Sequence, residues 1–135
     1  MDLDRNSLTV LERDECLRLL AGARLGRIGL TSGALPVVLP VNFFLDVDRI
    51  LVRTGYGTKL EAASRNTVVA FEVDDFDPFD HSGWSVVVTG MARVIDDPAE
   101  LEDLATTPIP RWAPGDDERI IAISTEMVTG RRLGV

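Results

Sequence analysis

Apolar residues in the first third of the chain recur at two spacings, one after the other. Cys16, Leu17, Leu19, Leu20 and Ala23, running on to Leu25, approximate a stripe of period 3.6, which predicts a helix over residues 12–23. Thr9 and Glu12 stand at the spacing of a capping box, in which each side chain satisfies a free donor of the first turn. Gly22 and Gly26 offer two places to stop. The spacing then becomes that of strands. Residues 25–31 form a short run ending at Ser32-Gly33, a hairpin turn. A second run over 35–45 is interrupted by Pro36 and Pro40. Proline cannot donate to a ladder, so Pro40 is expected at an edge or a bulge. Asp46-Val47-Asp48 turns the chain into a third strand over 49–54.

Residues 58–65 read as one or two helical turns, with Glu61 and Arg65 at the favourable i,i+4 spacing. Strands follow over 67–76 and 84–95, the second long and rich in valine. Asp97-Pro98-Ala99-Glu100 restarts a helix with a capping aspartate, proline at the first position and glutamate at the third. Leu101 and Leu104 are its expected buried contacts. Residues 107–117 contain Pro108, Pro110, Pro114 and Gly115 and predict a loop, and 119–128 is the last clear strand. Six strands with short turns and a few short helices predict a mainly β, antiparallel fold. Closing that sheet into a small barrel removes its exposed edges. A doubly wound sheet would need a helix after every strand, and only one such alternation occurs.

Composition narrows the class without changing the fold. A length of 135 residues predicts one domain over 1–135. Hydrophobic residues at 45%, charged residues at 27% and a mean hydropathy of +0.10 describe a chain that can offset its ordering entropy by burial. A net charge of −8 argues against a nucleic-acid partner, because phosphate backbones repel it. One cysteine cannot form an internal disulfide. No apolar run approaches the roughly 20 residues of a membrane span, and the start MDLDRN lacks the basic and apolar regions of a signal peptide. A cytoplasmic protein with no membrane partner is expected.

Most catalytic signatures are missing from the sequence. His81 is the only histidine, which excludes a paired-histidine metal site, and a single cysteine excludes a zinc cluster. No G-x-S-x-G elbow occurs. Glu72, Asp74, Asp75, Asp77 and Asp80 lack the glycine and final glutamate of a calcium loop and read as a solvated sheet edge and loop. One segment departs from the acidic background. Arg49, Arg53, Lys59 and Arg65 against Glu61 give residues 49–65 a net +3, leaving −11 on the rest. Lys59 is the only lysine, and it follows the turn Thr54-Gly55-Tyr56-Gly57-Thr58. Glycines allow an anion to approach the backbone, a helix start presents free N–H groups, and Thr54, Thr58, Arg53 and Lys59 would complete a phosphate cradle with charge-assisted bonds. A plain glycine turn carrying surface charge is an equal reading of the same residues. Leu60 stands where a dinucleotide fingerprint would have its third glycine.

The order of motifs resembles the flavin-binding split-barrel superfamily, specifically the small pyridoxamine 5′-phosphate oxidase-like proteins common in actinobacteria. The matching stretches are Cys16-Leu-Arg-Leu-Leu through Gly26-Arg-Ile-Gly, Leu39-Pro-Val-Asn42-Phe, and Val52-Arg-Thr-Gly-Tyr-Gly-Thr-Lys-Leu60. They continue with Val69-Ala-Phe-Glu-Val-Asp74, Ser82-Gly-Trp-Ser-Val-Val-Val-Thr-Gly-Met-Ala92 and Val128-Thr-Gly-Arg-Arg132. The resemblance implies a six-stranded antiparallel split β-barrel with Greek-key connections that forms a homodimer, with FMN at the two interfaces. It implies that the flavin phosphate lies at Arg53, Thr54, Thr58 and Lys59. The ring would lie against Leu39, Pro40, Val41 and Asn42, with Trp84 and Ser85 also at the flavin site. Core packing is the alternative reading for Val41, Trp84 and Cys16, and Arg131 and Arg132 either reach a partner's flavin or form a solvated tail. The ending Arg131-Arg-Leu-Gly-Val135 lacks the arginine- and proline-containing terminus of the oxidases that act on the phosphorylated vitamin, so the resemblance does not extend to that substrate.

The function implied is an FMN-dependent oxidoreductase with no catalytic side chain assigned. A reductase using a deazaflavin coenzyme is the alternative on the same fold, although its longer acidic tail would call for more cations than a −8 chain offers. A flavin-binding or redox-sensing module without turnover is a third reading. A haem-handling role would enlist His81 as a ligand.

Overall fold

The computed structural model describes residue 3, residues 8–111 and residues 118–134. Among these residues the chain forms nine strands and three short helices. In order they are β1 (Thr9–Leu11), α1 (Arg13–Ala21), β2 (Leu25–Ser32), β3 (Leu35–Asn42), β4 (Phe44–Asp46), β5 (Arg49–Gly55), α2 (Lys59–Ala63), β6 (Thr67–Asp77), β7 (Ser82–Ile95), α3 (Pro98–Asp103), β8 (Glu118–Ser124) and β9 (Met127–Leu133). The ladders are all antiparallel and run β3-β2-β6-β7-β8-β5-β4. β3 and β4, the two ends of this order, are separated by the single residue Phe43, whose N–H donates to the Arg24 carbonyl at 3.1 Å. A sheet whose edges are tied one residue apart has to curl on itself, so the barrel follows from that connection. β5 and β6 are consecutive in sequence yet have β8 and β7 between them, a crossover of the Greek-key kind.

β7 is where the barrel splits. Along one side it pairs β6 over its whole run, from Ser82 opposite Asp77 to Ala92 opposite Thr67. Along the other side Gly83–Thr89 pair β9, and Ala92–Ile95 pair β8. The change of partner falls at Gly90. A Cβ there would sit 1.8 Å from the Ser124 carbonyl oxygen, and the next N–H, of Met91, donates to Ser124 Oγ at 3.0 Å.

Inward residues fill two cores. The larger contains Cys16, Leu20, Ile28, Phe43, Ile50, Val52, Phe71, Val86, Val88, Ile121 and Ile123 among others, with Phe43 and Phe71 edge-to-face at 4.9 Å between centroids. The smaller contains Leu51, Ile95, Leu104, Ile109, Ile120 and Ala122, with Leu101 packed against it. β5 and β8 form the wall between the two. Ile50 and Val52 face the larger core and Leu51 the smaller, as period-2 alternation requires.

The six expected strands correspond to β2, β3, β5, β6, β7 and β8, and three more had no separate signal. The run over 35–45 divides at Phe43, where it leaves β2 for β5 and becomes β4. The run over 119–128 breaks at Thr125–Glu126, and β9 then carries Arg131 and Arg132 as ladder residues, which excludes a solvated tail. The Thr9–Glu12 capping box does not form. Thr9 lies in β1 opposite Arg132, and Glu12 caps α1 through its backbone without a side-chain bond. Leu25 opens β2 and is exposed. Other local expectations hold. Gly33 and Ala34, both at positive φ, make a two-residue hairpin, and Pro40 lies on edge strand β3. Asp97 caps α3 through Ala99 N at 3.2 Å, and Leu104 is buried. Residues 107–111 are irregular, and the rest of the expected 107–117 loop lies outside the described residues. No helix among the described residues is long and apolar enough to cross a membrane.

The outer face of the β3-β2-β6-β7-β9 region carries one charged cluster. Arg27 Nη1 lies 3.4 Å from Glu72 Oε1 and 3.3 Å from Asp74 Oδ2. Glu72 stands opposite Arg27 on β2 and Val87 on β7. Partial burial first, and then the hydrogen bond and charge of Asp74, push the Glu72 carboxyl up to about 7 against the pull of Arg27. Among the described residues no group of three or more His, Cys, Asp or Glu is arranged to hold a metal ion.

Two predictions follow from this frame. Gly90→Ala is expected to cost about 3 kcal/mol or more, the upper end of overpacking, because the obstacle is backbone. Gly29→Ala, whose Cβ would meet Ala70 Cβ at 3.6 Å, is expected to be nearly neutral. Urea unfolding of the two variants checks the contrast. A carboxyl raised in the folded state binds its proton more tightly there than in the unfolded chain. The stability from Glu72 is therefore present below about pH 4.5 and lost as pH rises through about 7. Carboxyl 13C titration should place the Glu72 midpoint near 7, and a midpoint in the ordinary glutamate range would contradict the burial argument.

Candidate functional site

The basic turn lies at the end of β5, where the strand outruns its neighbour β4 and the chain enters α2. Gly57 takes φ +78°, the left-handed region that an L side chain adopts only under strain. Residues Gly55 to Lys59 are all exposed. Thr58 is the N-cap of α2. Its Oγ1 accepts from Glu61 N at 3.1 Å, donates to the Gly55 carbonyl at 2.9 Å, and lies 2.8 Å from Thr54 Oγ1. With its one proton on Gly55, Thr58 accepts the proton of Thr54. Thr58 is thereby fixed as a structural hydroxyl, and Thr54 is the hydroxyl that can turn toward a ligand. Lys59 opens α2 beside them. Below the turn Glu61 is buried and paired with Arg65, the i,i+4 partner that the sequence predicted.

Arg53 does not join this group. In the β5–β8 register Leu51 stands opposite Ala122 and Arg53 opposite Ile120, while Val52 stands opposite Ile121 and Thr54 opposite Arg119. Arg53 therefore shares the face of the smaller core, and Thr54 continues the face of the larger one. The side chain of Arg53 is only 16% exposed. Its Nε donates to the Ile109 carbonyl at 2.9 Å and its Nη1 to Glu118 Oε2 at 3.2 Å. The other Glu118 oxygen lies 3.3 Å from Arg111 Nε. These bonds clamp the segment after α3 to β5. On the opposite face Arg119 lies over the Tyr56 ring, 4.9 Å from its centroid, inside the glycine turn. Neither Glu118 nor Arg119 had a signal in the sequence, because the pairing that brings them to residues 53–56 spans more than sixty residues.

The ring-side residues divide by alternation as well. Leu39 and Val41 point inward and belong to the larger core or its margin, while Pro40 stands on the outer face of the edge strand. β3 contacts β5. If the β4–β5 register is carried past Phe44 opposite Leu51, Asn42 comes level with Arg53 and Val41 with Thr54. Trp84 packs against the larger core, opposite Asp75 and Arg132. With Asp75, Asp77, Ser82, Gly83, Arg132 and Leu133 it lines a shallow cleft of about 150 Å³. Ser85 stands next to it, opposite Asp74 and Arg131. The strand runs eleven residue steps from Trp84 to Ile95, which pairs the β8 residue next to Arg119, up to about 36 Å of extended chain.

One further residue is accounted for by packing. Cys16 is fully buried, Gly130 lies so close that a Cβ there would sit 2.5 Å from the sulfur, and burial pushes the thiol up, away from the reactive thiolate. His81 sits at φ +57° in the exposed β6–β7 turn.

Comparison with known proteins agrees with this architecture. Residues 12–132 match the family model described as pyridoxamine 5′-phosphate oxidase, and the chain belongs to that family. It is 40% identical over 128 residues to an uncharacterized protein of Mycobacterium tuberculosis, covering 91% of this chain and 84% of that one. Among solved structures it is similar to one described as the FAD binding protein from Mycobacterium smegmatis, at 36% identity and TM-score 0.80, covering 93% of this chain and 99% of that one. A Mesorhizobium loti structure described as a FAD-binding protein shares the fold at 24% identity and TM-score 0.77, covering 94% of this chain and 99% of that one.

Proposed function

We propose that this member of the pyridoxamine 5′-phosphate oxidase family binds a flavin nucleotide and serves as a flavin-dependent oxidoreductase. The flavin phosphate lies at the turn after β5 and the ring lies against β3. The observation that carries the reading is the turn itself. Five consecutive exposed residues, a hydroxyl that can be re-aimed and the chain's only lysine stand together at the barrel's end. In the proposed complex Thr54 turns its proton from Thr58 to a phosphate oxygen, Lys59 supplies the ammonium, and Thr58 holds the turn in shape. β3 is an edge strand, so its free backbone side suits the polar edge of a ring, with Pro40 and Asn42 beside it and Leu39 and Val41 beneath. A bound flavin supplies the electron-transfer chemistry, and the chain's own residues bind and orient it. FMN is the expectation from the sequence. The description of the Mycobacterium smegmatis relative makes FAD a second candidate with the same phosphate chemistry.

A homodimer belongs to the same proposal. Trp84 and Ser85 stand far along β7 from the turn, so a second copy is the simplest way to bring them to the same flavin. The outer sheet face suits such a partner. Val38, Gly29, Ala70, Thr89 and Met127 form one row across five strands, with Val68 and Met91 in the row beside it. Val38, Val68, Met91 and Met127 are all exposed, and a contiguous apolar patch of this kind marks an interaction surface. An isologous two-fold contact would set the row against its own copy.

Visible absorption titrations with FMN, FAD, deazaflavin and haem are expected to give saturable flavin binding at about one per chain. Lys59→Ala should weaken FMN about tenfold while leaving riboflavin, which lacks the phosphate, unchanged. Exclusive binding of deazaflavin or haem would replace this reading. Sedimentation should show a dimer that Met127→Glu dissociates, and a monomer at all concentrations would remove the shared-interface arrangement.

A further inference from the structure

We infer that the outer sheet face is a proton-gated interface: a second copy of this chain seats on it while the Arg27–Glu72–Asp74 cluster holds one proton, and parts from it when that proton leaves. The inference rests on the homodimer reading above and adds its regulation. Its basis is the order of rows on that face. Along β7 the outward residues run Met91, Thr89, Val87, Ser85. Thr89 belongs to the apolar row with Val38, Gly29, Ala70 and Met127, and Ser85 stands opposite Asp74. Between them Val87 stands opposite Glu72, and Glu72 opposite Arg27. A copy that covers the apolar row and also reaches Ser85 therefore covers the charged cluster.

Within the cluster one nitrogen serves two carboxylates, Arg27 Nη1 lying 3.4 Å from Glu72 Oε1 and 3.3 Å from Asp74 Oδ2. The other residues of the Glu72 row are uncharged, with Pro40 on β3, Val87 on β7 and Thr129 on β9. Arg131 lies two strands from Asp74 and donates Nη1 to the Gly130 carbonyl at 2.9 Å. In the single chain water solvates the surplus carboxylate. Under a second copy that water is lost, and a covered charge without a partner of its own is costly. Neither simple two-fold arrangement relieves it. An axis along the rows, through the apolar one, turns the Glu72 row onto the copy's Val68 and Met91, and an axis along the strands turns it onto its own counterpart, carboxylates included. One proton per protomer removes the conflict, because a neutral carboxyl donates to the other and leaves Arg27 a single carboxylate. Glu72 is the more covered of the two. Its carboxyl is already pushed up to about 7 in the single chain, first by partial burial and then by Asp74, so further covering holds the proton through neutral pH. A dimer that binds this proton more tightly than the monomer is strengthened by it. Association is therefore full below about 7 and is lost as pH rises above it.

Sedimentation equilibrium of the purified protein over a pH series at fixed ionic strength tests this. With one proton per protomer at stake, dimerisation is expected to weaken between about tenfold and about a hundredfold from about pH 6 to about pH 8. Glu72→Gln, neutral throughout, is expected to dimerise at about pH 8 as the parent chain does at about pH 6, with no pH dependence between. Asp74→Asn leaves Arg27 to Glu72 alone and is expected to move the transition to lower pH. A parent dimer of constant affinity across the series overturns this inference and leaves the homodimer standing, as does a Glu72→Gln variant that keeps the parent's pH dependence. A monomer at every pH, in Glu72→Gln as well, removes the homodimer reading and this inference with it.

Discussion

The β5–β8 wall is the constraint on which the rest of the molecule depends. A strand buried on both faces has to satisfy two cores at once, and Ile50, Leu51 and Val52 do so by alternating between them. The same alternation continues past the cores into the residues that carry charge. It sends Arg53 to one side and Thr54 to the other without any further instruction. A one-residue slip in this register would exchange the two sets and place apolar side chains in the wrong core. The burial that stabilises the barrel therefore also sets which polar groups meet at the turn.

Closure and splitting place the remaining parts. The single-residue link at Phe43 ties β3 to β4 and so brings the proline-bearing edge strand beside β5. At the other side of the barrel Gly90 lets β7 exchange β9 for β8. β7 is long enough to serve both partners, so its early residues, including Trp84 and Ser85, pair β9 and not the β8 strand that flanks the basic turn. In the proposed dimer a second copy would bring these residues to the same flavin, and the exposed apolar row on the outer sheet face would be the surface it uses. Arg27 and Glu72 lie one row away on that face and Asp74 two, so the proposed association would share its surface with the protonation of Glu72.

Much of this was legible in the sequence wherever local chemistry decides the outcome. The hairpin at Gly33, the cap at Asp97, the edge position of Pro40 and the Glu61–Arg65 pair all depend on residues a few positions apart. The motif order across most of the chain carried the family. What could not be read were events set by partners distant in sequence. The division at Phe43, the extra strand from Met127 to Leu133 and the failed Thr9–Glu12 box all follow from which strand lies alongside. The site shows the same limit. Charge and glycine spacing located the turn, but grouping Arg53 with Thr54 treated adjacent residues as neighbours, whereas adjacent residues of a strand face opposite ways. Arg119 was unreadable because nothing between residues 54 and 119 announces their register.

The measurement that bears most directly on this account is an amide correlation spectrum of the protein followed through an FMN titration. The phosphate is predicted to move the resonances of Gly55 to Lys59, on the Thr54 side of the β5–β8 wall. Ile109 and Glu118, on the other side, should stay nearly still. Shifts concentrated at Ile109 and Glu118, or at residues remote from the turn, would contradict it.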